Sequence, residues 1–230
     1  MRRSRRRVIA MTAVALGALA AGASVCPVRL PGRETRIQET PFESMAELVD
    51  ALESVITPHL DHPFAFFGHS MGGGIAFELA RSLRRHGKTL PRALYVSGAR
   101  APQFRLNWTP PPPLGEAEFL EHLRKLDGIP VDVLDNPQAM QLALPLLRAD
   151  AALYSSYAYA PEEALTIPIF AYGGAADPHV RPEQVEAWRE QTSSRFTRRE
   201  FEGGHFFIRS AREAFLAMLL EDLLALSVMP

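Results

Sequence analysis

Residues 64–77 read FAFFGHSMGGGIAF, and no other passage restricts the fold as strongly. The run FAFFG is apolar without interruption, as expected of a strand covered on both faces; a half-exposed strand would alternate apolar with polar residues. A glycine-rich turn follows, and then GGIAFELARSLRRHG, an amphipathic helix pattern closed by basic residues and Gly87. A strand buried on both faces needs helices on either side of its sheet, so the chain is expected to be a layered α/β protein.

The rest of the sequence keeps this rhythm. VCPVRLP reads as a strand running into the Pro31-Gly32 turn, and residues 42–56 as a helix with Met45, Leu48, Val49, Leu52 and Ile56 on one face. Residues 93–99 and 167–175 read as buried strands, PEQVEAWREQT as a helix opened by Pro182, and FTRREFEGG as a strand entering a loop. The chain closes with the helix pattern SAREAFLAMLLEDLLAL. Strands alternating with helices indicate a doubly wound, mostly parallel sheet. A length of 230 residues with 47% hydrophobic content suits one sizeable core. Residues 104–160 break the pattern, being mostly helical with no clear strand. Such an insertion reads as a cap over the sheet edge, its apolar residues (Phe119, Leu123, Met140, Leu144, Leu147, Tyr154) either lining a pocket or packing helices together.

The net charge of −1 argues against a nucleic-acid partner, and Cys26 alone allows neither an intrachain disulfide nor a cysteine-based metal site. Residues 1–24 differ from the remainder. Five arginines among the first seven residues precede an uncharged, Ala-rich run, the layout of a secretory or twin-arginine signal, of a marginal membrane anchor, or of an extension without a targeting role. The expected domain boundaries are an atypical segment at 1–24 and an α/β domain over 25–230.

Gly68-His69-Ser70-Met71-Gly72 fits G-x-S-x-G at a strand-to-helix junction, where the serine occupies a strained turn that lifts its hydroxyl clear of the sheet. The Met71 N–H, at the start of the helix, is placed to meet a developing oxyanion. A serine hydroxyl needs a base, and the base an orienting acid. Asp177 follows a buried strand, and His205 lies in the glycine-softened loop after the next one. Functional groups gather at the carboxyl ends of such strands, which singles out Ser70, Asp177 and His205 as the catalytic set. His69 should point away from Ser70 and suits a pocket wall. His179 suits the rim of the Asp177 loop, and His59, His62, His86 and His122 suit solvent.

In order and spacing, CPVRLPGRETR, FAFFGHSMGGGIAFELAR, LYVSGARAP, LPLLRAD, GGAADPHV and GGHFFI resemble the type II thioesterases of polyketide and nonribosomal peptide synthesis, over Val25 to about Leu226. The resemblance implies an α/β-hydrolase fold and hydrolysis of acyl thioesters carried on the phosphopantetheine of a carrier protein. It implies Ser70 as nucleophile, His205 as base and acid, Asp177 as orienting carboxylate, and residues 104–160 as a helical lid that admits a phosphopantetheine arm; His69 and, from the apolar residues of that stretch, Phe119, Met140 and Leu144 are the candidate substrate contacts. No metal or redox cofactor is implied, and a cytoplasmic monomer is expected. Export or membrane tethering through residues 1–24 would instead indicate an esterase acting elsewhere. Arg81, Arg84, Arg85 and Lys88 form either a face for an acidic carrier protein or a solvated helix end.

The sequence departs from the family at its start. A strand and an F-P-x-A-G-G-like loop, source of the second oxyanion donor, should precede the P-G-R turn by about two dozen residues, yet Pro31-Gly32-Arg33 arrives almost at once. The first strands are therefore expected to be missing and the second donor is unassigned. Loss of one donor costs on the order of 10²–10³ in turnover, so weak activity, or a remnant that only binds a partner, enters as an alternative.

Overall fold

The computed structural model describes residues 6–10, 23–106, 114–125, 128–129 and 131–227. The chain divides into two compact units, one of Met1–Arg29, Val49–Leu106 and Tyr159–Pro230, the other of Leu30–Leu48 and Asn107–Ala158.

The first unit is built on six strands: β1 (Arg6–Ala10), β2 (Ala23–Pro27), β3 (Phe64–His69), β4 (Leu94–Ser97), β5 (Ile169–Gly174) and β6 (Phe196–Phe201). They lie in the order β2-β1-β3-β4-β5-β6 and every neighbouring pair is parallel. All residues of β3, β4 and β5 are buried, as the uninterrupted apolar runs require. Phe67, Tyr95, Phe170 and Tyr172 share one face with Phe215, Leu219 and Leu223 of the closing helix α8 (Arg212–Ser227). Helix α2 (Met71–Arg85) packs on β3 and β4, and α6 (Pro182–Glu186) on β5. The short helix α7 (Phe207–Ser210) precedes α8.

Two expectations about the N-terminus need correction. Residues 6–10 are not outside the fold but form β1, an interior strand flanked by β2 and β3, with Ala10 opposite Phe67. Val8 and Ile9 are β-branched and suit a strand; the arginines around them gave the segment the look of a signal. The sheet therefore has a strand ahead of the P-G-R turn that was expected to be absent. Residues 1–5 and 11–22, most of the run read as a signal or anchor, lie outside the described residues. Among the described residues no helix is long and apolar enough to cross a membrane.

The second unit joins α3 (Glu116–Lys125), α4 (Val131–Leu134) and α5 (Pro137–Ser156) around Phe119, Leu123, Leu134 and Met140, with Leu144 and Leu147 packed against them. Asn136 caps α5 by accepting from the Gln138 and Ala139 N–H groups at 3.0 and 3.1 Å. The P-G-R turn also belongs here: Arg33 forms an ion pair with Asp150, and the Met45 N–H donates to Ser156 Oγ at 2.9 Å. The helical insertion expected at 104–160 is thus completed by Leu30–Leu48, which sequence order had separated from it.

The Arg81 cluster is also corrected. Arg81 is 3% exposed, pairs with Glu78 at 2.7 Å and Glu162 at 2.6 Å, and sits 5.3 Å from the Phe77 and Tyr159 rings. Arg84 and Arg85 bind the same Glu162 at 2.7 and 2.9 Å. Three of the four charges offered to a partner are therefore engaged inside the first unit.

Helix α1 (Met45–Ile56) carries a comparable buried group. Glu53 accepts from Ser82 Oγ and lies 2.9 Å from His86 Nδ1. Burial pushes its carboxyl up, but the hydrogen bonds from Ser82 and His86 outweigh this and hold it below its ordinary value of 4.5. A lowered folded-state value means a stabilising contribution that is complete above 4.5 and lost as pH falls through the lower folded value. Glu53→Gln is expected to cost about 1–3 kcal/mol at pH 7 and to flatten that acid loss, as read by urea unfolding from pH 3 to 7. A chain starting at residue 23 lacks β1 and leaves β2 and β3 without their shared neighbour; it is expected to lose its cooperative thermal transition in calorimetry.

Candidate active site

Between β1 and β3 the winding of the sheet reverses, since the chain passes from β1 to β2 on one side and from β3 outward to β6 on the other. In parallel sheets this reversal opens a crevice at the carboxyl ends, and Ser70 follows β3 there. Ser70 has φ +54 and ψ −121, a conformation that costs a non-glycine residue about 1–3 kcal/mol. The surroundings enforce it. The Ser70 N–H donates to the Ser97 carbonyl at 2.7 Å and its own carbonyl accepts from Gly73 at 3.0 Å. A Cβ on Gly68 would lie 2.0 Å from the Gly72 carbonyl oxygen, so only glycine lets the helix start so close to the strand. Met71 opens α2, and its N–H is one of the first-turn donors with no intrahelical acceptor.

The acid and the base arrive from the next strands along the edge. Asp177 follows β5 in a turn closed by its N–H on the Gly174 carbonyl. Its Oδ1 accepts from the backbone N–H groups of His179 and Val180 at 2.8 and 3.1 Å. His205 follows β6 in a loop that presses on Gly174, where a Cβ would meet the Gly204 carbonyl oxygen at 2.3 Å. Across these turns His205 Nδ1 lies 2.8 Å from Asp177 Oδ2, and His205 Nε2 lies 2.9 Å from Ser70 Oγ. A carboxylate only accepts, so Nδ1 carries the hydrogen and Nε2 is left to receive one from the serine.

Burial would raise the Asp177 carboxyl, but the hydrogen bonds from His205, His179 and Val180 prevail and hold it below its ordinary value. The acid therefore stays ionised at neutral pH. Chemically the arrangement can deprotonate Ser70 as it attacks an electrophilic carbon, and the orphan Met71 donor can meet the oxyanion. Among the described residues no group of three or more His, Cys, Asp or Glu is placed to hold a metal ion.

Of the remaining candidates, two histidines lie against His205 and three apolar residues belong to the helical unit. His69 is buried with its ring against His205, and His179 also meets His205, at 5.6 Å between centroids. Phe119 and Met140 are core residues of the helical unit, with Leu144 packed beside them. Ser97, whose carbonyl anchors the serine turn, was not picked out from the sequence. Its only signal was its place at the end of the buried strand that runs into GARAP.

A family model for the thioesterase domain matches residues 17–223. The chain belongs to the thioesterase family. Linear gramicidin dehydrogenase LgrE of Brevibacillus parabrevis is 40% identical over 198 residues, 85% of this chain and 75% of that protein. Gramicidin S biosynthesis protein GrsT of Aneurinibacillus migulanus is 39% identical over 199 residues, 86% and 78% of the two chains. Among solved structures, the RedJ thioesterase from the prodiginine pathway of Streptomyces coelicolor matches with a TM-score of 0.83 and 35% identity, covering 94% of this chain and 85% of that one. The type II thioesterase BorB from the borrelidin biosynthetic cluster gives 0.82 and 34%, covering 96% and 94%. The resemblance to type II thioesterases of polyketide and nonribosomal peptide pathways, with their α/β-hydrolase fold, thus holds for this thioesterase.

Asp177→Asn keeps the shape of the site but allows the wrong imidazole tautomer. It is expected to slow fluorophosphonate labelling of Ser70 by about 10⁴-fold, with the thermal transition of this thioesterase changed little.

Proposed function

We propose that this chain is a serine thioesterase that removes acyl groups from the phosphopantetheine arms of carrier proteins in polyketide or nonribosomal peptide assembly, by way of an acyl-enzyme on Ser70. The observation that carries this reading is the linked geometry of Ser70, His205 and Asp177, 2.9 and 2.8 Å across two hydrogen bonds, in a chain whose relatives are type II thioesterases.

The steps follow from the residues present. Neutral His205 accepts the Ser70 proton through Nε2 as Oγ attacks the thioester carbonyl, and Asp177 stabilises the imidazolium through Nδ1–H. The Met71 N–H meets the oxyanion, aided by the positive end of α2. Collapse of the tetrahedral intermediate breaks the C–S bond, and His205 returns its proton to the departing thiolate. His205 then takes a proton from water, whose oxygen attacks the acyl-enzyme, and Ser70 Oγ recovers that proton as the acid is released. A thiol is a better leaving group than an alcohol, so the site needs little assistance at the departing sulfur. Clearing stalled or wrongly primed acyl groups is the biological role that fits an enzyme of this kind acting on carrier-bound acyl groups.

The test combines intact-mass analysis after fluorophosphonate treatment with hydrolysis of an acylated carrier protein. The wild type is expected to gain one adduct on Ser70 and to release free acid from the carrier, while Ser70→Ala does neither. Labelling without release from the carrier, but with turnover of simple esters, would point to an esterase. A folded wild type that does not label would point to a chain that only binds its partner.

A further inference from the structure

Beside the base lies a second imidazole that this reaction does not use. His69 immediately precedes Ser70, yet its side chain turns inward and is 4% exposed. Its ring centroid is 5.2 Å from that of His205, with the planes tilted by 48°, and Phe206 and Phe207 lie 5.6 and 5.9 Å away. His69 Nδ1 sits 3.0 Å from Ser97 Oγ. The same Ser97 is fully buried and holds the Ser70 N–H through its carbonyl. Gly98 closes the remaining side at φ +55; a Cβ there would stand 2.7 Å from His69 Cε1 and 3.5 Å from His205 Cε1. One backbone turn therefore touches both rings.

Filling space does not account for a histidine here. Among the described residues the buried His69 Nε2 has no hydrogen-bond partner, a cost that a phenylalanine would avoid. Burial first, and then the charge of the neighbouring His205, push the His69 imidazole down to about 3. It therefore remains neutral while its neighbour takes up and returns a proton, where a second charged ring would oppose that uptake.

The base itself has a mechanical need. Its bonds to Asp177 and Ser70 hold the ring only at Nδ1 and Nε2, so the support of its faces is left to packing. His179 and Phe206 meet it almost perpendicularly, at 88° and 89°; His69 is the inclined surface beside it. Resting on the catalytic role proposed above for Ser70, Asp177 and His205, we propose that His69 is the positioning residue of the base: pinned to Ser97 and nested on Gly98, its neutral ring is the wall that keeps His205 Nε2 on Ser70 Oγ.

The full chain is used for the test. His69→Asn leaves a polar atom where Nδ1 meets Ser97 but removes most of the wall. The double variant His69→Phe/Ser97→Ala restores a ring and deletes the hydroxyl that would otherwise lose its partner. Three quantities are read: kcat and KM on an acyl-phosphopantetheine thioester, the rate of fluorophosphonate labelling, and the downfield proton resonance of the His205 Nδ1–H. Displacements on the order of 1 Å cost up to about 10²-fold. His69→Asn is accordingly expected to lower kcat and labelling roughly 10- to 100-fold with KM within about twofold, and to shift or broaden the resonance. The double variant is expected to recover the resonance and all but about threefold of the rate.

Wild-type rates and resonance in His69→Asn would overturn the proposal. So would a loss of kcat with the resonance unmoved, or a double variant as slow as His69→Asn. Should His69→Asn not fold, His69→Gln takes its place with the same expectations; failure of both to fold beside a folded double variant would assign His69 to stability alone. A wild type that labels at Ser70 but leaves the thioester intact refutes the substrate assignment, while labelling rate and resonance still decide the role of His69. A wild type that does not label removes both.

Discussion

The left-handed backbone of Ser70 is the constraint on which the site depends. A residue with a side chain does not adopt φ +54 unless its neighbours leave no alternative. Here Gly68 lets α2 begin almost on top of β3, and the bond from the Ser70 N–H to the Ser97 carbonyl ties the turn to the adjacent strand. The local strain is offset by packing that is already present, in a strand buried on both faces and a helix set against it. The hydroxyl is thereby held at the sheet edge without relying on the substrate to place it. The first helical N–H groups come with it, because the residue after the strained one is the start of α2.

Parallel pairing supplies the rest. Each strand of this sheet ends on the same edge, so the end of β4 and the loops after β5 and β6 deliver Ser97-Gly98, Asp177 and His205 side by side, although 135 positions separate Ser70 from His205 in the chain. The loops are short and tied to the strand ends: Ala175 donates to Phe201 and Ala176 to Gly203. A relay of two hydrogen bonds tolerates little misplacement, and rigid strand ends achieve this better than free loops.

What could be read from the sequence follows the range of the interactions involved. Strands such as FAFFG and IPIFAYGGA were legible because burial on both faces leaves an uninterrupted apolar run; Ser70 and Asp177 stood out because each follows such a run, and His205 because it sits in a glycine-rich loop after the more polar strand FTRREF. Interactions between distant segments were not. Arg81, Arg84 and Arg85 look like a solvated charge run because their partner, Glu162, lies more than seventy positions away; nothing periodic connects them. Arg33 and Asp150, 117 positions apart, tie the P-G-R turn to the helical unit in the same hidden way. Strand β1 was missed for a different reason. RRVIA has only two β-branched residues among arginines, and its place in the sheet is set by pairing with β2 and β3 rather than by its own composition.

The interior position of β1 also changes the meaning of the family's missing motif. The second oxyanion donor was expected from a loop following an early strand, and the absence of that strand suggested that half of the oxyanion hole was lost with it. The strand is present. It pairs with β3 so that Ala10 stands opposite Phe67, three residues before Ser70, and the chain leaves β1 on the edge where the serine turn lies. What the sequence lacks is therefore the glycine-rich wording that follows the strand in the family, not the strand itself. The roughly 10²–10³-fold penalty of a lost donor was inferred from an absent strand, and with β1 paired between β2 and β3 that premise no longer holds.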